Sequence, residues 1–324
     1  MLNKSNKYLR EWLTEVKEQG ILVNEPRTKW SDGTPAKYYS IKQKVAEYDI
    51  SKGEFPINTL RPTAIKGGFH EIQWFYQKQT DDLSKADKSI HSWWKDFIVH
   101  RSYIYKNPSK EDIEEGIIGC DTSYLELAIA EGKQPKISNE YIGNTYGAIV
   151  SYYDLTNKLL DGLVNNPFGR RHQIDLWQYY NQGCDPRALP PCVFLNMWSV
   201  EDWGTSRKLN LTLIQRSQDA LMTHSINPTQ YTMLGMMICS DLRKRTGINY
   251  QMGKVLHIIN DYHVYDRHYQ FIDEVLSRDT ELDYLQPKIE LNVDKDFYDI
   301  TWEDFEIVDY VKPQPLSGKL EIAI

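Results

Sequence analysis

The sequence predicts a mixed α+β fold. Helical and strand-like apolar periods alternate along one chain of 324 residues, no linker divides it into halves, and no repeat or low-complexity tract interrupts it. Leu9, Trp12, Leu13 and Val16 recur at helical spacing and the pattern stops at Gly20, so a first amphipathic helix is expected there. The stretch NEPRTKWSDGTPAK that follows holds Pro26, Asp32-Gly33 and Pro35; it reads as a turning polar loop able to reach over a pocket. Around GGFHEIQWFYQKQTDD, Phe69, Ile72 and Phe75 predict a helix that sets Glu71 beside an apolar stripe, an unusual place for a carboxylate. From residue 94 to about 138 charge is dense and periodicity weak apart from a helical run at 124–130, which reads as an excursion from the core.

Leu155, Leu159, Leu160 and Leu163 predict a helix closed by Asn165-Asn166-Pro167, with Arg170 and Arg171 in the loop just beyond it. Period-two runs follow: Val193, Leu195 and Met197 after Pro190-Pro191, then Leu209, Leu211 and Leu213. Asn227-Pro228 is expected to cap and open a helix running through Tyr231, Leu234 and Ile238. KVLHIINDYHVYDRH reads as a strand leading into a loop, and RHYQFIDEVLSR as a helix after it. A single domain over residues 1–324, with 94–138 inserted in it, accounts for this order.

Composition narrows the function. With 41% hydrophobic and 12% aromatic residues the chain can bury a large core, and a formal charge of -7 disfavours polyanion binding while leaving room for a local arginine cluster that holds one phosphate. The first thirty residues are charged and amphipathic, with neither a leader nor a membrane-spanning run, so a cytoplasmic location is expected. The four cysteines, Cys120, Cys184, Cys192 and Cys239, show no CxxC spacing and no paired histidines, which argues against a disulfide framework or a metal site.

A scattered cysteine is ordinarily a small core residue. Cys192 differs in company: it follows two prolines at the mouth of a predicted strand, and Arg216 and the pair Arg170-Arg171 offer the electropositive setting a reactive thiol needs. The guanidinium groups, with Ser217, also make a candidate phosphate clamp, although an Arg-Arg pair alone is usually solvated surface. His263 and Tyr265 alternate on one strand face, either a half-exposed edge or a pair offered to a sugar hydroxyl. Asn227 is a helix cap on one reading and, on another, an amide able to read a uracil edge. Tyr146 lies between glycines in IGNTYG, and burial would raise the pKa of Glu71 into the range useful for proton transfer.

In order, PRTKWSDGTPA, EFPINTLRP, FHEIQWF, IGNTYG, NNPFGRR, ALPPC, LIQRSQD, HSINPTQY, NDYHVYDRH and DFEIVDY, with the closing EIAI, resemble the thymidylate synthase family over nearly all of the chain outside 94–138. That resemblance implies a large mixed, twisted sheet flanked by helices, two such sheets packing back to back in a homodimer. It implies reductive methylation of dUMP to dTMP with 5,10-methylenetetrahydrofolate, released as dihydrofolate, and no metal. By motif match, Cys192 is implied as the nucleophile at pyrimidine C6, with Glu71 and Tyr146 in proton transfer. Arg27, Arg216 and Ser217 are implied as phosphate ligands, joined by Arg170 and Arg171 of a second subunit. Asn227 is implied at the uracil edge, and His263 and Tyr265 at the deoxyribose 3'-hydroxyl, with Gln215 and Asp261 in support. Asp219 is implied between nucleotide and pterin, and Trp93, Ala323 and Ile324 on the folate side.

Three positions depart from the family pattern: Val193 follows the nucleophile where many members carry histidine, Thr223 replaces a glycine, and the shielding IWxxW element stands as IHSWW, leaving His91, Trp93 or Trp94 for that place. The sister chemistry, hydroxymethylation of dUMP, would use nearly the same residues; Asn227 argues against a cytosine substrate, and the closing tail favours methylation. An RNA-binding role is disfavoured by the charge.

Overall fold

A computed structural model describes residues 2–98, 141–178 and 189–324. Nearly all of the excursion expected at 94–138, its helical run at 124–130, and Cys120 and Cys184 lie outside the described residues. Helix α1 (Lys4–Gln19) buries Leu9, Trp12, Leu13 and Val16 as their spacing requires, and the Asn3 side chain caps it by accepting from the Asn6 N–H. Strand β1 (Ile21–Val23) pairs with β2 (Tyr38–Asp49), a long strand that the sequence reading did not separate from its loop.

Helix α2 (Ile65–Ile72) carries Glu71, as expected, but the chain then runs on as a π-helix through Gln73–Lys78 rather than as a plain α-helix. A single turn, α3 (His91–Trp94), followed by a 3-10 turn at Lys95–Phe97, ends the first described segment's helical part. Helices α4 (Gly147–Tyr153) and α5 (Leu155–Asn165) lead to β3 (Gln173–Asp175), β4 (Val193–Asp202), β5 (Arg207–Gln215) and the short β6 (Gln218–Asp219). The one-turn helix α6 (Ala220–Thr223) precedes the long α7 (Ile226–Thr246), after which β7 (Tyr250–Tyr265) forms the longest strand. The helix expected after it is confined to α8 (Phe271–Leu276), entered through a 3-10 turn at Asp266–His268. Strands β8 (Lys288–Leu291) and β9 (Phe305–Val308) form a separate antiparallel pair.

The large sheet has the order β1-β2-β7-β5-β4-β3, with β6 also paired to β7. β7 runs antiparallel to β2 but parallel to β5 and β6, so the sheet is mixed. Helix α7 packs across β5 and β7 and touches α2 and α5, burying residues on most of its circumference. It ends at Gly247, whose left-handed backbone (φ 69°) lets its N–H reach the Arg243 carbonyl. One correction concerns its other end. Ser225, not Asn227, occupies the cap position, and Asn227 sits inside the first turn with its side chain free of capping duty.

The register places the start of β4, the ends of β5, β6 and β7, and the start of α7 at one end of the sheet. A bulge between Val193 and Leu195 shifts the β4–β5 register directly after Cys192, the kind of irregularity that re-aims a side chain at a sheet rim. Opposite it, Tyr146 precedes α4 with φ 42°, and Gly147 follows because a Cβ there would stand 2.4 Å from the Thr80 carbonyl oxygen. Gly147→Ala is therefore expected to cost about 1–3 kcal/mol of stability and to shift the backbone holding Tyr146, read as a lowered denaturation midpoint together with a loss of activity.

Candidate active site

The chain closes around a cavity of about 630 Å³ at this end of the sheet, lined by segments from nearly every part of the described sequence. Cys192 lies on its floor. The Cys192 N–H donates to the Tyr146 hydroxyl at 3.0 Å and its carbonyl accepts from the Arg216 N–H at 2.9 Å, so both sides of its peptide are held. The Arg216 guanidinium fixes the preceding diproline by donating from Nε to the Pro191 carbonyl (3.0 Å) and from Nη2 to the Pro190 carbonyl (2.9 Å). The same Nη2 reaches Cys192 Sγ at 3.6 Å, and Ser217 Oγ stands 3.9 Å from that sulfur. A fixed cation at this distance stabilises negative charge on sulfur, the condition for a thiolate nucleophile.

Above the sulfur is an aromatic wall. Tyr146 stacks on Phe75 with ring centres 4.4 Å apart and meets Trp94 edge-on at 5.4 Å. Trp94 Nε1 donates to Glu71 Oε1 at 2.6 Å and Gln230 Nε2 donates to Glu71 Oε2, so both carboxyl oxygens are engaged. Burial pushes the Glu71 carboxyl up to about 7, against the pull of those two donors. Burial also drives the Tyr146 phenol well above its usual value, with the Cys192 charge adding to it, so Tyr146 keeps its proton. Trp93 lines the cavity beside them. Its ring lies over Gly67, where a Cβ would approach within 2.8 Å. His91 instead leans on the Ala86 carbonyl and is absent from the cavity lining, which leaves Trp93 and Trp94 as the tryptophans facing it.

The polar half of the cavity holds Asn227, His263 and Tyr265. His263 Nδ1 bonds Asp261 Oδ1 at 3.1 Å, and its ring meets Tyr38 and Tyr265 at 4.9 and 5.1 Å between centres. Asp261 is in turn held by Ser40 and Lys42 across the β2–β7 pairing, so it orients the imidazole from outside the cavity. Arg27 is exposed at the rim.

Asp219 borders both halves. Its Oδ1 accepts from the Leu221 and Met222 N–H groups and caps α6, while Oδ2 is buried with no hydrogen-bond partner among the described residues. A carboxylate oxygen left in that state beside an apolar wall fits a ligand that brings its own N–H donors. Thr223, at the family's glycine position, satisfies its hydroxyl on the Asp219 carbonyl at 3.0 Å, and Val193 is buried in the sheet. The chain's last residues form the lid: Leu320, Ile322, Ala323 and Ile324 line the cavity, and Ile324 exchanges two backbone hydrogen bonds with Lys29 (2.7 and 2.9 Å). Glu321 accepts from Ser31 and pairs with Arg267, which also holds Asp32 and stacks on Trp30.

The structure brings together Cys192, Glu71, Tyr146, Arg27, Gln215, Arg216, Ser217, Asp219, Asn227, His263, Tyr265, Trp93, Ala323 and Ile324 on one cavity. It leaves Arg170 and Arg171 outside, exposed on the loop after α5. Gln215 faces the cavity but spends its amide inward, accepting from His257 (2.8 Å) and donating to the Ser217 carbonyl (2.8 Å); it positions Ser217. Sequence reasoning missed Arg61, which lines the cavity with its Nε buried and without a hydrogen-bond partner among the described residues, and whose Nη1 reaches the Met222 carbonyl. A lone arginine before a proline gave no signal beyond its place in EFPINTLRP. Among the described residues no group of three or more His, Cys, Asp or Glu side chains is arranged to hold a metal ion, and no helix is long and apolar enough to cross a membrane.

The chain is similar to known proteins over nearly its whole length. The thymidylate synthase family model matches residues 6–322. A thymidylate synthase of Streptococcus thermophilus is 36% identical over 318 residues, covering 97% of this chain and 98% of that protein. One from Streptococcus pneumoniae is 35% identical over 319 residues, covering 97% and 98%. Among solved structures, thermostable thymidylate synthase A from Bacillus subtilis superposes with a TM-score of 0.70 at 26% identity, covering 98% of this chain and 99% of that one.

The raised Glu71 value has a signed consequence. Its folded pKa of about 7 stands above the ordinary 4.5, so between those two values the folded state binds the extra proton and stability falls as pH rises. Denaturation midpoints of the wild type and Glu71→Gln should diverge across that window, the wild type losing ground with rising pH, and run parallel on either side of it. A difference that stays flat from pH 4 to 8 would refute a carboxyl shifted by burial.

Proposed function

The chain belongs to the thymidylate synthase family and carries out its reaction, the folate-dependent methylation of dUMP to dTMP; we propose that the cavity residues divide that chemistry as follows. The observation that carries the reading is the Cys192 sulfur, set 3.6 Å from the Arg216 guanidinium on the floor of a cavity that has an amide, an imidazole and a phenol on its polar side. Cys192 adds to C6 of the pyrimidine, which makes C5 a carbon nucleophile; elimination of the thiolate at the end restores the ring. Asn227, relieved of capping, reads the uracil edge with one donor and one acceptor. His263, steadied by Asp261, and Tyr265 hold the deoxyribose 3'-hydroxyl.

Arg27, Arg216 and Ser217 bind the phosphate. Arg216 keeps one Nη1 hydrogen uncommitted for that purpose, four others being spent on Pro190, Pro191, Cys192 and Ser217. Arg170 and Arg171 complete the clamp from a second copy of the chain, which their exposure and distance from their own cavity support. The protein therefore works as a homodimer with sheets back to back, each chain a single domain of residues 1–324 with 94–138 inserted in it, in the cytoplasm. The charge of -7 supports no nucleic-acid partner.

The folate side is Asp219, Trp93, Ala323 and Ile324, and the co-substrate is 5,10-methylenetetrahydrofolate, which supplies the one-carbon unit and the hydride and leaves as dihydrofolate. Asp219 Oδ2 takes the pterin N–H donors. Tyr146, which keeps its phenolic proton, relays the C5 proton, and Glu71, poised near neutrality, organises the acceptor side of that transfer. Trp93 and the lid residues keep water from the exocyclic methylene, the branch point between methylation and hydroxymethylation.

With dUMP and methylenetetrahydrofolate the expected products are dihydrofolate, followed by absorbance, and dTMP, identified by mass; tetrahydrofolate with 5-hydroxymethyl-dUMP would overturn the assignment. Cys192→Ala should abolish turnover yet bind dUMP, and normal turnover in that variant would remove Cys192 as nucleophile. Mixing Arg170→Ala and Cys192→Ala chains tests the shared site: partial recovery of activity is expected, and none despite heterodimer formation would count against it.

A further inference from the structure

His268 stands behind the cavity and has no part in the chemistry above. It is 1% exposed, with its ring edge-on to Trp30 and Tyr265 (centres 5.4 and 6.1 Å away). Its Nε2 accepts the backbone N–H of Glu321, in the lid, at 3.0 Å. A peptide N–H can only donate, so Nε2 carries the lone pair and the proton of the neutral ring resides on Nδ1. Burial lowers the ring's pKa and keeps it neutral, against the carboxylates of Asp219, Glu321 and Asp266, which raise it, while Arg61 adds to the lowering. Nδ1 points at Asp219 Oδ2 from 4.0 Å. Both of those atoms are buried, and neither has a hydrogen-bond partner among the described residues. The separation is too long for a direct bond and suits one bridging water or one polar ligand atom.

We propose that His268 is a positioning residue coupling lid closure to the folate-facing carboxylate: docking of Glu321 fixes the ring proton on Nδ1 and so presents a donor to Asp219 Oδ2. The inference rests on the reading of Asp219 and the tail as the folate side. Its logic is one of linkage. With the lid away, Nε2 loses its donor and the ring is free to carry its proton on the far side, leaving Asp219 to face a lone pair. The closed lid and a ligand at Asp219 thereby strengthen each other by the same factor. The ion pair of Glu321 with Arg267 and the hydrogen bond it accepts from Ser31 hold the lid by its side chain, whereas the His268 contact reads its backbone.

Nitrogen-15 spectra of the full-length enzyme report the tautomer directly, the His268 signal being identified by its loss in His268→Gln. The expected wild-type signature is a protonated Nδ1. Glu321→Ala keeps the backbone N–H and should preserve it, while Glu321→Pro removes the N–H and should lose it. In binding, measured with dihydrofolate in the presence of dTMP, His268→Gln and Glu321→Pro should each weaken dihydrofolate about tenfold, with dTMP affinity changed by less than about twofold. His268→Asn, which returns a donor near the Nδ1 position, should recover part of the loss. Asp219→Asn combined with His268→Gln should cost less than the sum of the two. A wild-type proton on Nε2, a tautomer indifferent to Glu321→Pro, or strictly additive Asp219 and His268 effects would each overturn the proposal. None of these results touches the identity of the product, so failure of the family reading would appear separately, in the mass of the nucleotide formed.

Discussion

One guanidinium group organises the reacting end of the molecule. Arg216 leaves the end of β5 and meets two carbonyls of a diproline, the sulfur that follows them and the hydroxyl of its own neighbour. Prolines at 190 and 191 have no N–H to give, so that turn cannot be tied down by a backbone ladder and depends on a side chain for its order. The backbone of Arg216 adds the bond to the Cys192 carbonyl, tying the end of β5 to the start of its antiparallel neighbour β4. Removing the guanidinium would strip partners from the diproline carbonyls and take the cation away from the sulfur together. The same residue therefore sets both the fold of the turn before Cys192, the proposed nucleophile, and its electrostatics, and the two cannot be separated by substitution there.

Glu71 sets the second condition. A carboxyl buried against Trp94 and Tyr146 would ordinarily be neutral throughout the physiological range, but two N–H donors compete with burial and leave the group close to neutrality. Gln230 comes from α7, the helix that also carries Asn227, so the group proposed to handle protons is held by the same rigid support as the one proposed to read the base. Tyr146 links Glu71's partner to the sulfur's residue: its ring meets Trp94 edge-on and its hydroxyl accepts from the Cys192 N–H. The positive φ at Tyr146 is a local strain, tolerated because Phe75 and Trp94 enclose the ring and the next residue is a glycine.

The sequence made legible what had a period or a motif. α1, α5, β4, β5, α7 and β7 each show apolar spacing over enough residues to decide their type. β2 did not, because YYSIKQKVAEYD is rich in charge and its burial does not alternate around Gln43, whose backbone is left-handed (φ 56°). The π-helix at Gln73–Lys78 keeps an apolar spacing close to that of an α-helix, so no pattern separates the two. Of the two readings of Asn227, the cap failed for a structural reason: asparagine before proline is a good cap, yet the helix starts from Ser225, and only the three-dimensional path shows the Asn227 amide free of capping. Arg61 and His268 were invisible because what distinguishes them is burial beside Asp219, a property of the fold and not of their neighbours in sequence.

The IHSWW element shows why motif register is a weak guide over short helices. Counting from Ile90, His91 takes the position where the family carries its first tryptophan, yet the imidazole turns toward Ala86 and the indole of Trp93 fills the cavity side. α3 is one turn long and enters from a 3-10 turn, so helical phase fixes little about where its side chains point. What fixes Trp93 lies on the facing helix: at Gly67 even a methyl group would press within 2.8 Å of the indole, so the ring seats against bare backbone. The wall proposed to keep water from the methylene is thus specified by a residue pair, Gly67 on α2 and Trp93 on α3, that no reading along a single segment would join. Any larger residue at 67 would push the indole off its seat and open that side of the cavity, with Cys192, Glu71 and Asn227 all still in place.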